Sequence, residues 1–500
     1  MAEHFISRAD AESDLFSAAV YIGESIRSSD GHAEAMKAIV PTFLDRGDVD
    51  MAAELANTVD DPFTRDRLLI RIAEKCADVD DVDYALQLTE AIEDHGMQAE
   101  ALERIASTRA GMGDVATAAE IAGSMVHPDY VYGSIAVYEA ANGNAAGCDA
   151  ALAKSEFASA RVAALQHIAS ARISNDQRES AVAFIESATK AADDIEHDEE
   201  RIRALCEIGG LFVQARRNDK AVETYDHAQR LADALTNMHR DYFLVTCALG
   251  FLGAGSEELC DRTLDLVRDK TQMASALHAL AKHEFDQGDN DGALETLEEA
   301  WAIVRSQRDI ETRDSRARDN IMGLIASEFA VFGQPERAIE VATQNDDPQT
   351  GVAALTRIAQ TLLIAGDEGK IQQVIDAIPD DSDRMLALIS LSDIRENSGD
   401  REAAARLLNE AASMADAIPQ LALRASALDA MAERFAAQGD AARSHELALE
   451  ALEVIGQIRD ESSQAVALAA LSGTYSRHAF DFGDREKQLV ELMLQRADQP

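Results

Sequence analysis

Lysine is scarce in this 500-residue chain: nine Lys stand beside 37 Arg, and together they number 46 against 91 acidic residues, a formal charge of −45. Binding to a nucleic-acid backbone or to anionic lipid needs clustered Lys and Arg, so neither nucleic acid nor membrane is expected as a partner. Aromatics make up only 5% and Trp occurs once, which disfavours sheets, whose strands draw on aromatic and β-branched residues. Eight Pro leave long stretches without a helix breaker. Five cysteines, Cys76, Cys148, Cys206, Cys247 and Cys260, are an odd number, widely scattered, with no C-x-x-C pair. They read as buried, reduced thiols, and the expected location is cytoplasmic. The N-terminal stretch has neither a basic start nor an apolar core, so no secretory leader is expected. The longest weakly polar run, Phe243–Gly255, is 13 residues, too short to span a bilayer. No G-x-S-x-G, Walker loop, G-x-G-x-x-G or H-E-x-x-H occurs, so no enzyme activity, cofactor or metal is expected.

What is abundant is acid, alanine and apolar surface. The carboxylates are spread along the whole chain rather than gathered in a tail, and hydrophobic residues reach 47%, enough for a folded core. An acidic, Lys-poor surface is similar to that of proteins from salt-accumulating halophiles. At molar salt the Debye length is about 3 Å, so the self-repulsion of such a surface is screened. Frequent Ala with few aromatics points to closely packed helices.

The helices repeat. ALERIASTRAGMGD at Ala101–Asp114 returns as ALTRIAQTLLIAGD at Ala354–Asp367, ALHALAKHEFDQGD at Ala276–Asp289, ALISLSDIRENSGD at Ala387–Asp400 and ALDAMAERFAAQGD at Ala427–Asp440. In each copy an aliphatic stripe such as Leu102, Ile105 and Ala106 ends at Gly-Asp. The glycine suits the left-handed residue that stops a helix, and the aspartate caps the next one. Small residues, such as Ala118 and Ala122, follow in the second helix and allow close antiparallel packing. Turns are expected at Gly47, near Val79, and at Gly113, Gly143, Asn175, Asn218, Gly255, Gly288, Gly333, Gly366, Gly399, Gly439 and Gly483. Most lie 30–37 residues apart, the rest 40–45, with longer second helices expected in the longer units, as over Ala293–Asn320. The fold class is therefore all-α, an α-α superhelix (solenoid) of about thirteen hairpins.

These units resemble the tetratricopeptide repeat. In the unit turning at Gly288 the match is Leu277, Leu280-Ala281, Gly288, Ala293 and Ala300; at Gly399 it is Leu388, Leu391-Ser392, Gly399, Ala404 and Ala411. The family's Trp and Tyr are replaced by Leu, Met or Ile in most units. The array is expected to run continuously over 31–490, with 1–30 a capping helix, polar on its outside, and 491–500 a tail. The resemblance implies a right-handed superhelix whose first helices line a groove for a partner protein or peptide. Groove-facing residues would be Glu100, Glu103 and Ser107; Ser275, His278, Lys282 and Phe285; and Thr356, Gln360 and Leu363. The Lys and Asn set with which the family clamps chaperone tails is missing from these faces. The expected function is a non-enzymatic protein–protein interaction scaffold or adaptor. The alternative is a regulatory sensor that changes shape on binding a peptide or small ligand.

Two local features stand out against this background. QGDNDGALETLE, Gln287–Glu298, places Asp289, Asp291, Gly292 and Glu298 at calcium-loop spacing, yet its Gly-Asp is already accounted for as a repeat corner. Arg305, Arg308, Arg313, Arg316 and Arg318 put five Arg into fourteen residues. They read either as rungs of ion pairs on a long helix or as a docking patch for an acidic partner or a second copy of the chain.

Overall fold

The computed structural model describes residues 4–307 and 315–498. Helices make up 80% of it, and no strand occurs among the described residues. After α1 (Arg8–Ala11) and α2 (Leu15–Ser25) the helices come in pairs. These are α3/α4 (Ser29–Asp45, Val49–Asn57), α5/α6 (Pro62–Asp78, Val82–Glu90), α7/α8 (His95–Met112, Val115–Ser124) and α9/α10 (Asp129–Ala141, Ala145–Leu152). Next come α11/α12 (Ala158–Ser174, Arg178–Ala192), α13/α14 (Asp198–Gln214, Asn218–Ala234), α15/α16 (Arg240–Gly253, Glu257–Leu264) and α17/α18 (Lys270–Asp286, Asn290–Ser306). The last are α19/α20 (Ser315–Val331, Pro335–Ala342), α21/α22 (Pro348–Ala365, Glu368–Ala377), α23/α24 (Asp381–Asn397, Arg401–Met414), α25/α26 (Leu421–Ala437, Ala441–Ile455) and α27/α28 (Glu461–His478, Asp484–Ala497). The chain divides into two compact units, one of Met1–Ala101 with Leu355–Pro500, the other of Leu102–Ala354.

The expected corners recur. Nine glycines, Gly47 to Gly439, take positive φ between +75° and +97°, and Asp114, Asp289, Asp400 and Asp440 then cap the following helix through their carboxylates. Where the sequence offers no glycine the left-handed residue is Asp80, Asp176 or Arg216 rather than Val79, Asn175 or Asn218, and at the last corner it is Ala479 although Gly483 follows. A non-glycine there costs about 1–2 kcal/mol. The longer units do have longer second helices, α14 and α18 running 17 residues where α10, α16 and α20 run eight, but α18 ends at Ser306 rather than reaching Asn320, and residues 315–320 open α19 instead.

Within each unit the first helix of one repeat packs beside the first helix of the next, as α9 does on α11 and α25 on α27. Two polar devices set that register. The fourth residue of six first helices reaches back to a carbonyl at the end of the preceding second helix. His32 Nδ1 lies 3.0 Å from the Gly23 carbonyl, and Gln98 Nε2 3.3 Å from that of Thr89. Arg161 donates to Ser155 and Glu156 at 2.9 Å, Arg201 to Ile195 at 2.9 Å, Arg384 to Ile378 at 2.6 Å and Gln464 to Ile455 at 2.8 Å. These carbonyls lie at or just past a helix end, outside the regular i to i+4 bonding; those of Gly23, Thr89 and Ile455 also accept the N–H three residues on.

In three short units a buried aspartate does the complementary work. Asp66 accepts from the N–H groups of Glu93 and Asp94 (3.2 and 3.1 Å), Asp129 from Glu156 and Phe157 (2.5 and 2.8 Å), and Asp241 from Arg268 and Asp269 (2.7 and 2.6 Å). Each pins the loop that leads into the next first helix.

The N-terminal segment is no polar cap. Eight of the eleven residues of α2 are buried, among them Leu15, Phe16, Val20 and Ile22. In the unit that holds both termini, α2 packs along α27, and α3 packs on both α27 and α2, so α2 occupies the place of a second helix for the last repeat. The helix expected in that place, α28, packs instead against α2 and α26. Tyr21 donates to Asp498 at 2.8 Å, and Arg8 pairs with the same carboxylate. The five thiols are all buried and unbridged.

Two outcomes are expected. Arg201→Met leaves the Ile195 carbonyl without its donor and costs about 1–3 kcal/mol, seen as faster amide exchange at the start of α13. Phe16→Ala costs about 3–5 kcal/mol by denaturant midpoint, because Phe16 is 2% exposed and packs edge-on against Phe43; loss of under 1 kcal/mol, as for a frayed cap, would contradict this packing.

Candidate partner-binding groove

The first helices offer one side chain per turn to their neighbours, and most of the expected groove residues are spent on those neighbours. Glu100 lies 3.5 Å from Arg67 of α5. Ser107 accepts from Ser134 of α9 at 3.1 Å. His278 Nε2 is 3.3 Å from Glu328 of α19, and Phe285 stacks on Phe332 with centroids 4.3 Å apart. Gln360 donates to Ser390 of α23 at 2.6 Å. Leu363 is only 6% exposed and belongs to the core, so it offers no groove surface. Ser275, Glu103 and Thr356 are half-buried, and Lys282 is exposed.

The arginine-rich segment does not hold together as one patch. Arg305 is exposed on α18 and Arg316 on α19, while Arg308 and Arg313 lie outside the described residues. Arg318 is 6% exposed. It is the fourth residue of α19, bonded to Asp319 (2.7 Å) and to Asp346 (3.0 Å), so it serves the repeat joint and cannot dock a partner. The calcium-like spacing is likewise absorbed: Asp289 accepts from the Gly292 N–H at 3.0 Å, and Glu298 is gripped by Arg337 at 2.9 and 2.8 Å. Among the described residues no three His, Cys, Asp or Glu side chains are grouped to hold a metal, and no helix is long and apolar enough to cross a membrane.

Besides a cleft of about 810 Å³ at the N-terminal ends of α9, α11 and α13, two clefts open on first-helix faces. One, about 450 Å³, crosses α7, α9 and α11. It is lined by Ser107 and Gly111; by Tyr130, Gly133, Ser134, Val137, Tyr138 and Ala141; and by Ala160, Ala163, Ala164 and His167. The steps of three and four residues along α9 and α11 mark single helical stripes. The cleft exists because six of its residues are Gly or Ala, leaving a gap between Tyr130, Tyr138 and His167. Gly113 helps seat Tyr138: a Cβ built there would stand 2.4 Å from the tyrosine hydroxyl. Of the residues expected in the groove, only Ser107 lines this cleft. The tyrosines had a sequence signal of their own, since DYVYGSIAVY places three of the chain's eight Tyr within nine residues.

The second cleft, about 330 Å³, lies between α25 and α27 and includes Asp429, Ser426, Ser463, Ala467 and, from α3, Glu34. Burial pushes the Asp429 carboxyl up, with partial compensation from the Thr474 hydroxyl at 2.6 Å. Burial acts in the same sense on nearby Glu433, but hydrogen bonds from Arg477 and His478 outweigh it and hold that carboxyl at about 2. The two carboxylates thus respond oppositely to pH. Asp429, raised on folding, favours the fold at low pH and opposes it once ionised. Asp429→Asn is therefore expected to raise the melting temperature at pH 7, with the gain vanishing below pH ~4, where an unfolded carboxyl is also protonated. Glu433→Gln should do the reverse, losing stability at pH 7 and approaching wild type as pH falls toward 2.

No protein-family model matches this chain, and no curated protein matches it. Among solved structures, Ton1535 from Thermococcus onnurineus NA1 is 15% identical with a TM-score of 0.26, covering 71% of this chain and 98% of that one. A human IFIT1 dimer with m7Gppp-AAAA is 14% identical with a TM-score of 0.26, covering 71% and 90%. Naa15/Naa10 bound to HypK-THB is 12% identical with a TM-score of 0.24, covering 96% and 99%. All three TM-scores are low, and the assignment of this chain as an all-helical repeat protein stands on its own helix pairs and corners.

Proposed function

We propose that this protein is a non-enzymatic scaffold or adaptor of tetratricopeptide-like repeats, which binds a partner protein or peptide on the faces of its first helices. The observation that carries this reading is the cleft across α7, α9 and α11. Some successive first helices are joined by larger pairs such as His278–Glu328 and Gln360–Ser390, whereas here small residues, with only the Ser134–Ser107 bond across them, leave a tyrosine-lined surface open to solvent. Polar recognition at the mouth with apolar area inside is the pattern of a binding site. The charge of −45 supports a protein partner over nucleic acid or anionic lipid, and supports work at high salt, where that charge is screened.

The test is affinity capture with cross-linking in about 1 M KCl, where the Debye length is about 3 Å, followed by mapping of the cross-linked residues. Cross-links concentrated on first helices are the expected result. Cross-links confined to second helices, or turnover of a small molecule that a single pocket substitution abolishes, would sink the scaffold reading.

A further inference from the structure

Two of the five buried thiols are neighbours. Cys206 of α13 and Cys247 of α15 place their Sγ atoms 3.7 Å apart, although 41 residues separate them along the chain. The packing that brings them together is specific. One helical turn further on, α13 carries Gly209 and α15 carries Gly250, and a Cβ built at either would run into the ring of Tyr225 from α14. Both first helices thus close on the same ring without a side chain of their own at that turn. At the turn before it they meet sulfur to sulfur. A disulfide brings two sulfurs to about 2.05 Å, a closure that starts here from contact.

Exposure divides the roles of the two. Cys206 is 8% exposed, against 0–2% for the other four thiols, and Cys247 is the most deeply buried of all. Access decides where oxidation of a thiol begins, so an oxidant meets Cys206 first. The thiol–thiol hydrogen bond and burial together push the Cys247 thiol up, which keeps it protonated and out of reach of direct attack. It stands in place to capture whatever forms on Cys206 before a second oxidant arrives. Cys76, Cys148 and Cys260 have no such neighbour: the contact of Cys206 with Cys247 is the one thiol pair among the described residues.

We propose that Cys206 and Cys247 form an oxidation site, which hydrogen peroxide closes to a disulfide that staples α13 to α15. The Cys206 sulfur takes one oxygen from the peroxide, the O–O bond breaks, and the first water leaves. The resulting sulfenic acid is attacked by the Cys247 sulfur. The S–S bond forms as the S–O bond breaks, and the hydroxyl leaves as a second water with the Cys247 proton. One peroxide is reduced to two waters, and the two thiols together give up two electrons. Where Gln360 and Ser390 join two first helices by a hydrogen bond, this joint becomes covalent and can no longer open. The inference stands independently of what the first-helix faces bind.

The test exposes the full, folded chain to hydrogen peroxide in about 1 M KCl, where its charge is screened. The peroxide is then quenched, and free thiols are trapped with N-ethylmaleimide in denaturant. Peptide mass spectrometry without reductant is expected to find a Cys206–Cys247 linked peptide, two hydrogens lighter than its parts and released by dithiothreitol. It should form at least tenfold faster than Cys76, Cys148 or Cys260 is lost. Amide exchange in α13 and α15 is expected to slow at least tenfold in the linked form. In Cys247→Ala, Cys206 should accumulate as a sulfenic acid that dimedone traps; in Cys206→Ala, Cys247 should resist peroxide. The wild-type link needs neither variant to be read. No linked peptide from the folded chain, equal loss of all five thiols, or a link that forms only after denaturant has opened the fold overturns the proposal. A link that leaves exchange in α13 and α15 unchanged overturns the staple.

Discussion

Everything in this fold depends on how one helix pair is joined to the next. A hairpin of two short helices buries too little apolar surface to stand alone, so its stability comes from stacking. Stacking in turn requires that the last carbonyls of each second helix find donors while the chain turns into the next first helix. The fourth residue of the first helix supplies them: His32, Gln98, Arg161, Arg201, Arg384 and Gln464 differ in chemistry but donate to equivalent places. Asp66, Asp129 and Asp241 hold the loop from the other side. Because these bonds are local to each joint, unit lengths can vary without loss of register, and short and long units coexist in one chain.

The same joints explain how so acidic a chain uses its few cations. Arginine, with several donors in a rigid plane, can satisfy two backbone carbonyls or a carboxylate and a carbonyl at once, which lysine cannot do from a point charge. Arg161 and Arg240 are spent this way, and Arg318 spans two carboxylates, Asp319 and Asp346. Carboxylates greatly outnumber these cations, 91 against 46 along the whole chain. The arginines that build the repeat joints are thereby withdrawn from the exposed surface.

Much of the repeat could be read directly. Gly-Asp corners locate six of the nine left-handed glycines, and the repeat spacing locates Gly143, Gly255 and Gly333, because only glycine adopts that conformation without strain. Corners without glycine were blurred, since Asp80, Asp176 and Arg216 carry no comparable signature. Arg318 shows a different limit. In sequence it belongs to a basic cluster; in the fold it is the fourth residue of a helix, and burial beside Asp319 and Asp346 removes it from any surface. Leu363 was misplaced for a related reason: a helical stripe is wide, and only the neighbouring helix decides which edge of it stays exposed.

The sequence by itself determined the all-helical class, the hairpin unit, most of its corners and the sign of its charge, because helix periodicity and capping act over a few residues. Tertiary structure alone decided that α2 completes the last repeat. Its run LFSAAVYIGES is apolar on all sides, which is compatible with many buried positions, and its partner α27 lies more than 430 residues away along the chain. It also decided where the groove stays open. An open cleft is a property of three helices at once, set by Gly111, Gly133 and Ala164 meeting across repeats, and no single stretch of sequence contains it.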